Sequence, residues 1–393
     1  MGGRRRPRII LGSAIGAIAV STVVAGPASA AWMTAGGGPS RTNARLAIDV
    51  RPPLTARWST LSHPMPGGLL EHAVTVAAGR VYGTTIDGGV FALSTGDGRH
   101  LWERDLRGIY ATTPTYADGR VFVAPEHGTA HQRARGRLRA LDAATGQTLW
   151  ARWALSVPSV SEGAPLVVGR RVFITANPSP VDQRRTQARV VAFSVSGPRL
   201  WSKRLAGIAW QAPTWTGRYV VVADYAGWVY AFTRRGRLAW RTRVGAATYA
   251  ATASSRRRIF VSSKDGVLRA LSAATGRRLW ARRVGWSPGY GEPAVTPRRI
   301  YVANLDGTVA AFTRRGGRVW RRRFGEHIYG AAVATRGVVW VSLHDTRQLL
   351  ALASRTGRTL QPVASGYYDP AVASGNVVYL VGVARVTAVA QAP

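Results

Sequence analysis

The chain has 393 residues, 54 Lys and Arg against 18 Asp and Glu, and no cysteine. The missing cysteine excludes disulfides, thiolate metal sites, a Cys nucleophile and a lipid-modified N-terminal Cys. The formal charge of +36 is almost all arginine, with Lys203 and Lys264 the only lysines, and a field of that size draws polyanions without specificity.

In chain order, Arg4, Arg5, Arg6 and Arg8 precede a charge-free apolar run from Ile9 to Ala25, and Pro27 precedes Ala28-Ser29-Ala30. A basic start, an apolar run and a small-x-small site define residues 1–30 as a secretory signal cut after Ala30. The mature protein is therefore expected to be secreted, extracytoplasmic and within reach of the cell surface. An uncleaved anchor is the alternative, because the run is near the lower length limit for crossing a bilayer. No later stretch is apolar for long enough to span, so no transmembrane segment is expected once the signal is removed. Residues 31–51 are a Gly-rich, non-periodic lead-in.

From 52 to 393 one pattern is written repeatedly. It reads GGVFALSTGDGRHLW ending at Trp102, GRLRALDAATGQTLW at Trp150 and GVLRALSAATGRRLW at Trp280. Its central alanines are Ala92, Ala140, Ala192, Ala231, Ala270, Ala311, Ala351 and Ala388, a repeat of roughly 40 residues. Within a unit the reading is four short strands. For the fifth these are Ala247–Ser254, Arg258–Ser263, a period-two strand Val267–Ser272 and an outer strand opening at Leu279-Trp280. A glycine stands four residues before each Trp, as Gly98, Gly146, Gly197, Gly236, Gly276 and Gly316, where a hairpin turn needs left-handed backbone. Gly357 keeps the spacing, but Gln361 replaces the Trp of the seventh copy. Leu54–Thr60, around Trp58, looks like the end of a unit without a beginning, and the last copy has a beginning without an end. Joining them closes a ring and removes free sheet edges. The predicted fold is all-β: an eight-bladed β-propeller of four-stranded antiparallel blades, with the N-terminal strand in the last blade. WD40 repeats are excluded because Asp never follows the Trp, and kelch repeats because their doubled glycines have no fixed place.

The pattern G-x-V-x-A-L-x-x-x-T-G-x-x-L-W resembles the tryptophan-docking motif of pyrroloquinoline quinone (PQQ) repeats. The lead-in from Trp32 through Arg41-Thr42-Asn43 is similar to the W…G…RT stretch ahead of the propeller in many of those proteins. The resemblance covers roughly residues 32–391. It implies that Trp58, Trp102, Trp150, Trp201, Trp240, Trp280 and Trp320 dock on the neighbouring blade's turn. It also implies either of two functions, since the family holds quinoprotein dehydrogenases and non-catalytic binding propellers, among them a lipoprotein of the outer-membrane β-barrel assembly machinery. The dehydrogenases bracket the quinone between a Trp and a vicinal-Cys disulfide, and hold Ca²⁺ with Glu, Asn and Asp. A chain without Cys and with few carboxylates departs from that set. No catalytic residue, metal or cofactor is therefore expected, with PQQ and Ca²⁺ belonging only to the alternative reading.

Other chemistry is weaker still. No G-x-S-x-G, H-E-x-x-H or P-loop is present. His127 and His131, with Glu126, fall in an insertion before Gly136 and read as solvated loop residues without a third placed ligand. A second insertion, Pro178–Gln187, reads as a surface loop. Outer strands such as WARRV from Trp280 and WRRRF from Trp320 carry arginine on an exposed edge, where charge blocks edge-to-edge pairing. That rim is also a candidate surface for anionic cell-envelope polymers, but without interleaved exposed aromatics it is no specific nucleic-acid site.

The segments IAWQAP, TYAATA, GYGEPA, IYGAAV and GYYDPA align Trp210, Tyr249, Tyr290, Tyr329 and Tyr367 at the start of the innermost strands. Tyr110 falls one place off, and Glu71 and Glu162 occupy the position in blades one and three. Innermost strands line the channel, so these residues ring one mouth as a candidate ligand site, or plug it. The expected function is a monomeric, non-enzymatic binding or scaffold propeller, meeting a protein or small-molecule partner at this mouth and its loops.

Overall fold

The computed structural model describes residues 31–392 except 32, 63–69, 71, 87, 107–111, 125–136, 155–158, 161–162, 179–186, 246, 249–251, 287–290 and 365–370. Its elements are all strands, arranged as eight antiparallel sheets. Blade 1 runs from Thr75–Ala77 through Arg80–Thr84 and Gly89–Ser94 to His100–Asp105, hydrogen-bonded in that order from the axis outward. Blades 2 to 8 begin at the inner strands Thr115–Ala117, Leu166–Val168, Thr214–Trp215, Ala253–Ser255, Ala294–Val295, Val333–Ala334 and Val372–Ser374. The inner strands of blades 8 and 1 adjoin, so the array is a ring. Blade 3 departs from the expected four strands. Ser159–Val160 adds a fifth, paired with Asn177 and Pro178 where the second strand overruns its neighbours.

Closure occurs where the two incomplete repeats meet. Leu54–Leu61 pairs antiparallel with Arg385–Gln391, from Leu54 opposite Gln391 to Leu61 opposite Arg385. Arg385 donates to the Ser59 hydroxyl and carbonyl, both at 3.0 Å, and the Ala392 N–H reaches the Pro53 carbonyl at 2.9 Å.

Register explains the central alanine. Ala140 lies opposite Phe122 on one side and Trp150 on the other; Ala192 lies between Phe173 and Trp201, Ala270 between Phe260 and Trp280. Two rings on one sheet face leave room only for a methyl group between them. Blade 7 reverses the sizes. Its second strand places Trp340, fully buried, opposite Ala351, and Gln361 stands on the far side. The third strands do not alternate as expected. Leu268 to Leu271 are all buried, because each blade lies between two others and both faces are covered. The core accordingly lies between blades: one cluster joins Phe122 and Leu138 of blade 2 to Val172 and Val191 of blade 3.

Each docking Trp donates from Nε1 to a carbonyl in the third-to-fourth-strand turn of the next blade. Trp58 reaches Thr95, Trp102 reaches Ala143, Trp150 reaches Val195 and Trp201 reaches Arg234. Trp240 reaches Ala273, Trp280 reaches Arg314 and Trp320 reaches Ser354, and all seven distances fall between 2.9 and 3.1 Å. Blade 8 has no such turn, because its fourth strand, Leu54–Leu61, does not follow its third, Arg385–Gln391, in the chain. Gln361 thus faces a blade that offers no docking turn.

Candidate functional site: the channel and its two faces

The lead-in is part of the ring. It crosses the channel and hydrogen-bonds to five inner strands in turn. Carbonyls of Met33, Pro39, Ser40, Thr42 and Asn43 accept from the N–H groups of Tyr116, Trp215, Ser254, Val295 and Ala334. Gly36 and Gly37 make the required bend at φ 75° and 84°, and a Cβ on Gly36 would sit 2.7 Å from the Arg41 Cα.

Arg41 is fully buried. Its guanidinium donates to the carbonyls of Ala35 (2.8 Å), Ala164 of blade 3 (2.9 Å) and Pro213 of blade 4 (2.8 Å). Burial pulls its pKa down to about 10, while Glu292 of blade 6 acts in the opposite direction. Burial likewise lifts the Glu292 carboxyl above the ordinary carboxylate range, against Arg41 and Asn43, which favour its charged form. A cation, a carboxyl and an amide thus occupy the channel, two of them supplied by the lead-in.

The backbone bonds of the lead-in fall towards the ends of the inner strands where the first-to-second-strand turns lie, whereas Arg41 reaches carbonyls just ahead of the strand starts. The segments expected to carry the aromatic ring precede the inner strands in sequence. Two of its members are described, Trp210 and Tyr329, both half-buried. Glu71, Tyr110, Glu162, Tyr249, Tyr290 and Tyr367 lie outside the described residues, as do Trp32, residues 1–30, His127, His131 and nearly all of the second insertion. Trp210 is positioned by blade 3: the Asn177 amide donates to the Ala209 carbonyl at 3.1 Å and accepts from the Ala209 N–H at 2.9 Å.

Around Tyr329 the structure assembles a group that sequence reading passed over. The Tyr329 ring meets His344 edge-on at 4.8 Å and lies 6.2 Å from His327. Both imidazoles contact Asp345, His327 Nδ1 at 3.0 Å and His344 Nδ1 at 3.3 Å. The Asp345 carboxyl is held below its usual range, first by the His327 backbone N–H and then by the two rings, with desolvation opposing. The signal was available, since Glu326-His327 and His344-Asp345 occupy the two loops that meet on the mouth face of one blade.

The outer-strand arginines also have partners that the sequence hid. Two residues beyond the docking Trp, on the same side of the strand, Arg104 donates to the Thr145 carbonyl (2.6 Å) and Arg282 to the Gly316 carbonyl (2.8 Å). Arg322 reaches Thr356 at 3.4 Å. Part of the rim therefore staples one blade to the next.

A quinone cofactor with Ca²⁺ needs six to eight oxygen ligands around the metal. Among the described residues no cluster of three His, Asp or Glu could hold a metal ion. Glu292 stands beside a guanidinium that opposes a second positive charge. The donors among the described residues do not fit that group.

Eight radial four-stranded units, the docked Trp series and a ring closed by its own N-terminal strand define a PQQ-like β-propeller. The particular family follows from comparison: the family profile described as outer membrane protein assembly factor BamB matches residues 53–186 and 186–392, and the chain belongs to that family. No curated protein matches. Among solved structures, BamB from Moraxella catarrhalis superposes with a TM-score of 0.68 at 17% identity, covering 86% of this chain and 97% of that one. A quinohemoprotein alcohol dehydrogenase from Comamonas testosteroni gives 0.74 at 14%, covering 92% and 80%. The computationally designed protein Ika8 gives 0.70 at 14%, covering 84% and 98%. A named assembly factor, an enzyme and a designed protein match about equally well, so these likenesses speak for the fold alone. Among the described residues no helix is long and apolar enough to cross a membrane.

Proposed function

We propose that the chain is a non-enzymatic extracytoplasmic scaffold propeller that binds a partner through the mouth of its channel and the surrounding loops. The observation that carries this reading is the lead-in, whose carbonyls bond the inner strands towards their turn ends, while its Arg41 fills the channel beside Ala164 and Pro213 at the strand starts. The mouth face, with Trp210, Tyr329 and the exposed Trp286 at 70% exposure, is left as an aromatic contact surface. Aromatic anchors with a few polar groups are what partner surfaces use at their centres. The family description, an assembly factor, supports a protein partner, and the basic-apolar N-terminus supports export.

The test compares wild type with a Trp210→Ala/Tyr329→Ala variant in crosslinking captures from the native cell envelope, with melting temperature measured separately. The reading expects a specific protein lost from the variant at unchanged stability. Dye reduction after reconstitution with PQQ and Ca²⁺ would instead establish the quinoprotein alternative. A variant that only melts earlier, with no partner seen for either protein, would leave the mouth as packing and defeat the proposal.

A further inference from the structure

Charge in blades 4 to 7 is sorted by face. The turns between first and second strands, and between third and fourth, lie on the face opposite the mouth. In blades 3 to 7 the former read VGRR, TGRY, SRRR, TPRR and TRGV, and the latter SGPR, TRRGR, TGRR, TRRGGR and SRTGR. None contains a carboxylate. The loops on the mouth face of blades 4 to 7 hold Asp224, Asp265, Asp306, Glu326 and Asp345, and their only basic residues are Lys264 and Arg347. A genome-wide bias towards arginine codons would load both faces alike, so composition does not account for the sorting.

Most arginines of this arc are exposed, with Arg171, Arg258, Arg299 and Arg314 half-buried, and the described ion pairs leave nearly all of them without an acidic partner. The lead-in brings Asp49 to this face, where Arg51 (2.7 Å) and Arg336 (3.7 Å) hold it. Blades 1 and 2 differ, with Asp97, Asp118 and Asp142 in the corresponding turns. Crowding within the arc has an electrostatic trace. Arg314 donates to the carbonyls of Ser255 (2.7 Å) and Thr296 (3.2 Å), and its pKa falls to about 10, through burial first and then through Arg258 and Arg256.

The backbone shows the same preference at a cost. Blades 1 and 2 make their first turn with left-handed Ala78 and Asp118 (φ 50° and 47°) followed by Gly79 and Gly119 at φ 72°, so the second position is glycine in each. Blade 5 places Arg256 and Arg257 there, at φ 48° and 63°. Consecutive left-handed residues with side chains are unfavourable, and such turns ordinarily select glycine. Strain of this kind at an exposed turn points to what the side chains do.

We propose that the turn face of blades 3 to 7 binds a linear phosphate-bearing polyanion and tethers the propeller by the side opposite its mouth. Guanidinium forks match phosphate oxygens in geometry as well as charge. The ten turns themselves expose no Trp, Tyr, Phe, Leu or Ile, so they offer no platform for stacking bases. Exposed Leu200, Leu238, Leu279 and Leu360 follow them in the outer strands, and vesicles are the arm of the test that reads any use of these by a bilayer. An arc running over five adjacent blades suits a chain of phosphates better than a single anion.

Long-chain inorganic polyphosphate is the probe, titrated against the mature chain beside orthophosphate, single-stranded DNA and vesicles containing anionic lipid. Polyphosphate binding is expected to strengthen with chain length and, for about four phosphate contacts, to fall roughly 100-fold between 50 and 200 mM salt. The variant Arg235→Gln/Arg257→Gln/Arg277→Gln/Arg315→Gln should weaken it at least tenfold, and the salt slope should flatten by about one for each phosphate no longer neutralised. The outer-strand variant Arg204→Gln/Arg243→Gln/Arg321→Gln/Arg323→Gln removes equal charge and should stay within threefold of wild type. Arg257→Gly alone should raise the melting temperature while weakening binding, which separates the surface from stability. Equal losses in both quadruple variants, or tighter binding to vesicles or DNA than to polyphosphate of the same charge, would overturn the assignment.

Discussion

Blade 2 offers a controlled measurement of what Trp docking contributes. Gly146 and Gly119 have nearly the same left-handed backbone, φ 71° and 72°. A Cβ on Gly119 meets nothing within 4 Å, whereas one on Gly146 falls 2.5 Å from Cε3 and 2.8 Å from Cδ2 of Trp102. Gly119→Ala should therefore cost only the backbone penalty, about 1–2 kcal/mol. Gly146→Ala incurs that penalty and also lifts Trp102 from its seat. Overpacking adds ~1–3 kcal/mol, and loss of the 3.0 Å bond to the Ala143 carbonyl adds ~1, for a total of ~3–6 kcal/mol. Urea unfolding followed by circular dichroism measures both. A double-mutant cycle completes the experiment: in a Trp102→Gln background, which copies the residue of blade 7, Gly146→Ala should cost no more than Gly119→Ala. The reasoning fails if the two glycine substitutions are equally costly in wild type, or if the cycle shows no coupling.

Further outcomes follow from the channel and the seventh blade. Arg41→Met should destabilise by about 3–5 kcal/mol, because three carbonyls and the Glu292 carboxyl lose their buried cation; adding Glu292→Gln should recover part of it in the same unfolding assay. Glu292 has a folded pKa raised above its unfolded value of 4.5. The folded state thus holds the proton more tightly, and this contribution is full below 4.5 and declines as pH rises through the folded pKa. Midpoints collected from about pH 4 to 8 should show that decline in wild type and its absence in Glu292→Gln. Gln361 has a buried Oε1 with no hydrogen-bond partner among the described residues, so Gln361→Leu should stabilise by about 1 kcal/mol. Gln361→Trp should not, since blade 8 lacks a docking turn and Trp340 already fills that level.

The ring was legible from the sequence because its unit is local. A hairpin whose Ala, Gly and Trp keep fixed offsets announces its strands and turns, and two half-units at the ends announce how they close. What lay beyond the sequence was non-local. Ala140 reads as a small strand residue, and only register shows Phe122 and Trp150 on either side of it. Gly146 reads as a turn residue, although the ring of Trp102 from the previous blade also forbids a Cβ there. The lead-in has no periodicity because its hydrogen bonds go to blades 2 to 7 in turn, so its path could not be seen in its own pattern. The group around Tyr329 was missed for a related reason: His327 and His344 meet only once two loops of blade 7 are brought to one face.

The same distinction decides how the arginines are understood. As sequence, WARRV and TGRR are equivalent basic stretches, and the outer strands are the more conspicuous. In space they differ. Arg282 points along the docking Trp towards the Gly316 carbonyl, and its charge is partly committed to holding blade 5 on blade 6. Arg277 and Arg278 stand at the tip of a turn with no such partner assigned to them by the repeat. Arginines that staple blades, on the rim or, like Arg299 and Arg314, on the turn face, should respond in stability, and turn tips such as Arg235, Arg257, Arg277 and Arg315 in binding. The alternation of strand direction then fixes the orientation. Turn tips and mouth loops are at opposite ends of the same strands, so an anion held by one cannot obstruct the other, and tethering and partner binding become separable properties of one ring.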